Sequence, residues 1–413
     1  MNNLETENPY AQSVTSTPTS NVQTGTAAPR QYYPFEFTGR AGEYFRIWIV
    51  NVVLSILTLG IYSAWAKVRT NKYFYGNTLL DGSAFDYTAD PKKILIGRII
   101  AVVLFAIYQV VTQFFFAISS YVFIAILLVV PVILVMSLSF RMRYSNWRGI
   151  NFRFHGSYRY AYLLLAPILI YFLALLITPI LLGVDEEVLL QQQENADQLD
   201  PALINYLLIT FAIAFIFMIL FPLWQKWYYR YIGNRVAFGK SRFSFVATGW
   251  EFYGFYLVAF AIGFLALFIL GIFAGIIMAA IMAGGGGDPS GQPSLVATYT
   301  LIGIMSIPYI FIMAYIQTKL TNVIYGNLEV EEVCFESTLE VGAMAWLYFT
   351  NTLAILCSLG LAIPWTKIRM AKYRADHMRL LATDFQRFIA DARPEVDAKA
   401  EAVSDIFDLD IGL

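Results

Sequence analysis

Few residues in this sequence have the types and spacing that catalysis or metal binding requires. Its 413 residues include two cysteines, Cys334 and Cys357, and two histidines, His155 and His377, none of them in a metal-ligand spacing such as C-x-x-C. No Ser-His-Asp order, nucleotide-binding loop or pair of carboxylates inside an apolar stretch is present. We therefore expect no enzyme activity, no cofactor and no metal site.

Polar side chains inside apolar stretches are the first candidates for a functional role. Arg98, Asn51 and Asn351 lie in such stretches, and we predict that they contribute to a polar centre. A charged residue inside a membrane-spanning helix is costly and often functional, but Arg98 is close enough to a helix end to reach the headgroups instead. The two asparagines could line a polar path where two repeats meet, or each could satisfy backbone groups freed by a break in its own helix.

A second group combines basic and aromatic residues in two copies. W-A-K-V-R-T-N-K-Y and W-T-K-I-R-M-A-K-Y lie at a constant offset of 300 positions. Basic residues beside a membrane attract anionic lipid at about 1 kcal/mol each, and Trp and Tyr prefer the interface. Both copies are therefore predicted to bind lipid headgroups or to act as ordinary interfacial anchors. Their residues are Trp65, Lys67, Arg69, Lys72, Tyr73, Trp365, Lys367, Arg369, Lys372 and Tyr373.

The composition predicts that lipid is the solvent for most of this chain. Hydrophobic residues make up 58% of it and charged residues 14%, against about 45–50% and about 25% in a typical soluble domain. The formal net charge of −1 indicates no nucleic-acid partner. We expect membrane lipids as partners, and no protein partner can be named from the residues.

The apolar stretches divide into six long and two short ones. A helix needs about 20 apolar residues to cross a bilayer. Six stretches reach that length: Ile94–Ser119, Tyr121–Phe140, Ala161–Leu182, Ala202–Leu223, Phe255–Ala283 and Leu295–Ile316. Two borderline stretches, Phe45–Ala64 and Ala345–Pro364, contain the pairs Leu59-Gly60 and Leu359-Gly360.

The charges between these stretches are sorted by sign. Lys and Arg are concentrated after Phe45–Ala64, Tyr121–Phe140 and Ala202–Leu223, whereas segments 184–201 and 284–294 contain no basic residue. Basic segments stay on the cytoplasmic side of a bacterial membrane. We therefore predict a multi-pass protein of the bacterial inner membrane with both termini in the cytoplasm.

An internal repeat organises the chain into five units. Each unit begins with an aromatic-x-aromatic pair and continues through an apolar helical segment to a basic stretch. A Gly-Asn dipeptide precedes three of the pairs, and alternating aromatics after such a turn predict a short β-hairpin. The pairs are Phe35/Phe37, Phe85/Tyr87, Phe152/Phe154 and Phe243/Phe245, with a weaker copy at Phe335/Ser337.

The outer two units have a single apolar stretch of about 20 residues, which can cross the membrane once or enter it and return as two half-helices. Re-entry keeps every aromatic pair and every basic stretch on the cytoplasmic side, and we favour it for that reason. The alternative is two ordinary spans with both termini outside. In the re-entrant case the Leu-Gly pairs mark the breaks, and Asn51 and Asn351 are suitable partners for the freed backbone groups.

Several of these motifs resemble a known bacterial family. F-E-F-T-G from Phe35, L-T-L-G-I-Y from Leu57, W-A-K-V-R from Trp65 and Y-G-N from Tyr75 are similar to the YjgN-like family of inner-membrane proteins, grouped as a domain of unknown function. The resemblance covers residues 34–381. It implies a multi-pass inner-membrane protein, and it implies no activity and no catalytic residue.

These features predict an all-α polytopic membrane protein. It has six full transmembrane helices, two shorter helical hairpins that re-enter, and small aromatic β-hairpins on the cytoplasmic face. The predicted divisions are a disordered N-terminal tail at 1–33, a membrane domain of five degenerate repeats at 34–381 and a C-terminal tail at 382–413. Phe385 and Phe388, with nearby Arg379 and Arg387, predict an amphipathic helix on the membrane surface in that last segment.

For function we slightly favour a transporter or channel-like protein, because broken helices from two repeats often form transport sites. The alternative is a structural or interaction scaffold that binds lipid or envelope partners through a cytoplasmic aromatic-basic face. A solvent-connected cavity lined by Asn51 and Asn351 would favour transport, and a closed apolar centre would favour the scaffold.

Overall fold

The structure, a computed structural model, describes residues 30–184, 200–283 and 295–393. Most of the acidic segment 184–201, the segment 284–294 and most of both predicted tails lie outside these residues, and the predicted domain divisions stay predictions. The described helices are α1 (Ala41–Leu57), α2 (Ser63–Gly76), α3 (Pro91–Phe114), α4 (Phe116–Arg143), α5 (Tyr158–Leu182), α6 (Pro201–Gly233), α7 (Gly249–Ala283), α8 (Leu295–Gly326), α9 (Val341–Cys357), α10 (Ile363–Asp376) and α11 (Phe385–Ala392). The described strands are β1 (Gln31–Phe37), β2 (Thr78–Leu80), β3 (Ser83–Tyr87), β4 (Ser145–Trp147), β5 (Ile150–Phe154), β6 (Val236–Phe238), β7 (Ser241–Phe245), β8 (Leu328–Val330), β9 (Val333–Ser337) and β10 (Met378–Ala382).

All ten described strands join in one closed antiparallel barrel. In each repeat a strand leads into two helices, and the strand that follows them pairs with the first, as β1 does with β2. Tight turns connect the repeats, and β10 pairs with β1 to complete the circle. Closure pairs both edges of every strand and leaves no open sheet edge.

The barrel corrects the prediction of an all-α fold with separate small hairpins. Its paired residues are far apart in sequence: Phe35 lies opposite Leu80, and Gln31 lies opposite Ala382. Four of the strands have only three residues each within the described chain. Such short segments carry no period-2 pattern, so the aromatic pairs showed half of the strands and the other half gave no signal.

The aromatic pairs build the barrel interior in two layers, because residues two apart in a strand face the same side. The first member of each pair lies in the middle of the barrel, opposite an apolar residue of the neighbouring strand. The second member packs beneath the helices in four repeats, and in the fifth Ser337 donates to Asn322 of α8 at 2.7 Å. The mid-barrel pairs are Phe35/Leu80, Phe85/Trp147, Phe152/Phe238, Phe243/Val330 and Phe335/Leu380.

The Gly-Asn dipeptides end helices and do not form the hairpin turns that we predicted. The Asn77 amide donates to the carbonyl of Tyr73 at 2.7 Å, and Asn327 does the same to Val323 at 2.9 Å, so each satisfies an orphan carbonyl of its helix. The turn between β2 and β3 is Asp81-Gly82, where both residues have positive φ, as a tight two-residue hairpin requires.

Ten of the described helices form a ring on one end of the barrel. Each of α1 to α10 packs against the next, and α10 packs against α1. Every helix pair leaves from a barrel strand and returns to one, so the barrel lies on one side of the ring. Apolar side chains on these helices are widely exposed, for example Phe105, which is 63% exposed. Such a surface requires lipid around it.

Five described helices, not six, are long and apolar enough to cross a membrane. They are Pro91–Phe114, Ile118–Arg143, Tyr158–Leu182, Pro201–Gly233 and Gly249–Ile276. The predicted span Leu295–Ile316 lies within α8, which is not among the five. The count of six was therefore wrong.

Candidate functional site

The outer two repeats contain helical hairpins that turn back at the Leu-Gly pairs. Leu59 and Gly60 have φ of 48° and 90°, and Leu359 and Gly360 have φ of 51° and 92°. Helix α1 has 17 residues, about 25 Å at 1.5 Å per residue, and is shorter than a bilayer core of about 30 Å. Because β1 and β2 pair, both ends of this hairpin are at the barrel. The chain therefore returns to the side from which it came, as the repeat predicted.

The backbone at these turns is satisfied by hydroxyls that the sequence analysis missed. Thr58 donates to the carbonyl of Leu54 at 2.7 Å and accepts from the amide of Tyr62 at 2.9 Å. Ser358 likewise accepts from the amide of Ala362 at 2.9 Å. The signal was present, since a hydroxyl residue precedes Leu-Gly in both copies at the same offset of 300.

Asn51 and Asn351 are both buried, but each bonds within its own hairpin. The Asn51 amide lies 3.4 Å from the carbonyl of Ala66 in α2, and its Oδ1 has no partner in the described structure. Oδ1 of Asn351 accepts from Nη1 of Arg369 in α10 at 3.2 Å. The equivalent Arg69 bonds instead to the hydroxyl of Tyr62 at 3.0 Å. The polar environments of the two copies therefore differ, although their backbones match.

Arg98 meets the first turn of α2. Its Nη1 donates to the hydroxyl of Ser63, directly after the turn of the first hairpin. Lys67 lies one helical turn further along the same face and interacts electrostatically with Arg98 and with Arg141 of α4. The structure thus brings Arg98 to the first basic-aromatic copy, and no described contact joins it to either asparagine.

A polar stripe runs along α2 from the hairpin turn to the barrel. Ser63, Lys67, Asn71 and Tyr75 are spaced by four residues and lie close to one face. The barrel end of this stripe is hydrogen-bonded, since the hydroxyl of Ser145 in β4 donates to that of Tyr75 at 3.1 Å. In α10 only the lysine is kept, and the matching residues are Ile363, Lys367, Ala371 and Ala375.

The aromatic residues that end the two basic copies have structural roles at the start of each hairpin. The hydroxyl of Tyr73 accepts from the amide of Arg40 at 2.8 Å, and that of Tyr373 accepts from the amide of Glu340 at 3.1 Å. Burial raises the pKa of Tyr73 above its ordinary value of 10. Both tyrosines therefore hold the strand-to-helix connection of their own repeat.

The remaining members of the two copies lie on the surface of the hairpins. Trp65 stacks on Tyr62 with ring centroids 6.2 Å apart, and Arg369 lies 5.2 Å from the ring centroid of Trp365. The lysines Lys67, Lys72, Lys367 and Lys372 are exposed. Exposed cations beside ring systems are well placed to meet headgroups at the edge of a membrane.

The end of the barrel away from the helices is closed by α11. Asp384 accepts from the amide of Arg387 at 3.0 Å and caps this helix. The ring of Phe385 lies 4.4 Å from that of Tyr33 and 5.6 Å from that of Trp147, inside the barrel end. The predicted amphipathic helix therefore exists, but its apolar face is buried by the barrel and not by the membrane surface. The amphipathic pattern was predicted correctly, but the surface that buries it belongs to barrel strands that were not predicted.

One described groove lies among the spanning helices. It has a volume of about 640 Å³ and is lined by α6, α7 and α8 with apolar side chains such as Phe217, Met218, Phe260 and Ile312. Neither asparagine lines it. The arrangement fits contact with lipid acyl chains, since no ion could be solvated there.

The comparisons with known proteins agree with a membrane protein of this kind. A family model described as "Bacterial protein of unknown function (DUF898)" matches residues 32–406. A relative named inner membrane protein YjgN from Salmonella typhimurium is 25% identical over 365 residues, which is 83% of this chain and 87% of that protein. A second of the same name from Escherichia coli O157:H7 is 29% identical over 126 residues, 30% of this chain and 32% of that protein. No solved structure matches the chain.

Proposed function

Since the chain belongs to DUF898, a bacterial family of unknown function, we propose a role for it from its own geometry. We propose a non-catalytic scaffold that binds anionic lipids and holds a closed barrel against the membrane. It is a multi-pass protein of the bacterial inner membrane, and lipids surround its helices. The positive-inside bias supports a cytoplasmic position for the barrel.

The observation that carries this proposal is the filled and closed barrel. Aromatic side chains of five strands occupy its middle, and neighbouring rings such as Phe35 and Phe85 have centroids 6.2 Å apart. Helix α11 covers the far end with Phe385, which is 1% exposed. A channel needs a wet path lined by polar groups, and a packed aromatic core provides none.

The charge on the helices supports the lipid-binding part. Described helices carry several basic residues and few acidic ones, and the two basic-aromatic copies extend from the hairpin turns towards the barrel. Each basic residue close to an anionic surface contributes about 1 kcal/mol. Together with Trp65 and Trp365, this arrangement suits contact with anionic headgroups along the two hairpins.

The lipids that co-purify with the protein test the proposed binding of anionic lipid. The purified protein is extracted, and the ratio of anionic to zwitterionic lipid is compared with that of the whole detergent extract by mass spectrometry. We expect enrichment of anionic lipid severalfold over the extract. An equal ratio would contradict the scaffold.

Transport is the second candidate, supported by the two matched hairpins and the unpartnered Oδ1 of Asn51. A measurement of flux across a vesicle membrane distinguishes transport from the scaffold role. Proteoliposomes loaded with potassium and carboxyfluorescein should release both no faster than protein-free vesicles of the same lipid. Release above that level would favour a conducting protein and overturn the closed scaffold.

A further inference from the structure

The polar stripe of α2 faces positive charges from two neighbouring helices. Arg98 of α3 reaches Ser63 in the stripe, and Lys67 interacts with both Arg98 and Arg141 of α4. Ser63 and Lys67 are four residues apart, so Arg98 approaches the face of α2 that carries Lys67, and Arg141 is near enough to act on the charge of Lys67. Three cations thus share one site.

Within the part of the chain that the structure describes, no carboxylate pairs with these cations. Helices α2, α3 and α4 contain no Asp or Glu. Among the described residues, no ion pair joins Lys67, Arg98 or Arg141 to an acidic group. Lys67 and Arg141 are exposed, so an anion from outside the protein can reach these charges, and its binding would relieve their repulsion.

We propose that Lys67, Arg98 and Arg141 bind a phosphate group, carried by an anionic lipid or present as the free ion, between α2, α3 and α4; the lipid case rests on the scaffold role proposed above. A guanidinium matches two oxygens of a phosphate, and a lysine supplies a further point charge.

The surroundings of the site favour a lipid as the source of the phosphate. Directly beside Arg98 on α3, Ile96 and Ile99 are each 52% exposed. An apolar exposed surface adjoining a cationic site matches an amphiphile with an anionic head. A free phosphate ion would gain nothing from that surface.

The second hairpin provides a matched control. Lys367 is the repeat equivalent of Lys67, is equally exposed and lies in the same sequence context, but its helical neighbours Ile363 and Ala371 are apolar. Removing either lysine changes the net charge by one. Only removal of Lys67 should affect the three-cation site.

The test uses the full-length protein in detergent and follows its melting temperature by intrinsic tryptophan fluorescence. Dihexanoyl phosphatidylglycerol, dihexanoyl phosphatidylcholine and inorganic phosphate are titrated separately at constant ionic strength. We expect phosphatidylglycerol to raise the melting temperature saturably in the wild type and in Lys367→Gln. In Lys67→Gln its half-saturating concentration should rise about fivefold, the ratio that corresponds to the loss of one basic contact.

Comparison of the titrated ligands identifies the source of the phosphate group, and comparison of the two variants can reject the proposed site. Tighter binding of phosphatidylglycerol than of inorganic phosphate indicates a lipid headgroup, and equal binding of both indicates free phosphate. Equal titration curves for Lys67→Gln and Lys367→Gln would overturn the proposal. If Lys67→Gln does not melt cooperatively, Lys67→Arg is used in its place, and it should bind phosphatidylglycerol as tightly as the wild type does. Weaker binding of phosphatidylglycerol by Lys67→Arg would also overturn the proposal.

This outcome is independent of the scaffold test. Loss of the Lys67 effect with anionic lipid still enriched in the purified protein would reject this site and leave the scaffold in place. Flux through the vesicles together with a Lys67-dependent titration would reject the scaffold and leave the site.

Discussion

The seal on the barrel depends on one aromatic side chain, and its removal should release α11. Phe385 is 1% exposed, and its ring lies 4.4 Å from that of Tyr33. Truncating a fully buried Phe to Ala costs about 3–5 kcal/mol. Apart from Phe385, only Ile389 and Ala392 of this helix are buried, so little else opposes undocking. Phe385→Ala should therefore lower the docking equilibrium constant on the order of a hundredfold or more.

Hydrogen exchange followed by mass spectrometry can measure this change because the interface contains its own reporter. The amide of Lys240, in the turn after β6, donates to the carbonyl of Ala392 at 3.0 Å. This amide is protected only while α11 is docked. Its exchange in Phe385→Ala should be faster by the same factor of about a hundred, while exchange in the central strands should change little.

Arg387→Gln is the control, because this side chain is 78% exposed on the opposite face of α11. It should leave the exchange at Lys240 unchanged. The reasoning is refuted if Phe385→Ala exchanges at the wild-type rate there, since α11 would then be held by something other than its apolar face. Equal acceleration throughout the barrel would also refute it, because the helix would then be part of the core and not a separate seal.

Three further predictions follow from the same structure. Asn351→Leu should lower the melting temperature, at a cost of about 1 kcal/mol, because Arg369 loses one of its two side-chain acceptors and keeps only the Thr350 hydroxyl. Asn51→Leu should leave the melting temperature equal or raise it, because Oδ1 there has no partner in the described structure. A fall in both would show that the two amides act alike. Gly239→Ala should accelerate exchange at the end of the barrel, since its Cβ would lie 1.8 Å from a backbone oxygen of α11. Gly82→Ala has the same backbone strain from a positive φ but nothing within 4 Å of its Cβ, so it should accelerate that exchange much less. A periplasm-active phosphatase fused after Leu413 should show no activity, and strong activity would place the C-terminus outside.

The repeat was the part of the structure that could be predicted most fully from the sequence. The aromatic pairs marked five strands, and the Leu-Gly pairs marked two turns. Tyr73 and Tyr373, which are 300 positions apart, accept equivalent hydrogen bonds in the two outer repeats. These features succeed because each depends on residues close together in the chain. Local periodicity and turn chemistry are readable in a single sequence.

The features that failed all depend on partners far away in sequence. Strand β10 begins about 340 residues after β1 and closes the barrel against it, and nothing local in Met378–Ala382 indicates that partner. The same holds for α11, whose amphipathic pattern shows that a face is buried without showing what buries it. A membrane surface and an aromatic barrel end are both apolar, so composition cannot distinguish them.

The pseudo-symmetry also shows where the two outer hairpins have diverged. Their backbones agree at the turns and at the strand connections, which indicates that these features serve the fold. They differ along the polar stripe of α2, where α10 has isoleucine and alanine. They also differ in the hydrogen-bond acceptors of Arg69 and Arg369. Part of this difference follows from packing, because Tyr75 bonds to Ser145 of β4 and Ser63 accepts from Arg98 of α3, neighbours that α10 does not have. The same face has Arg98 and Arg141 near Lys67, with no acidic partner among the described residues, so it is where a role specific to this protein should be sought.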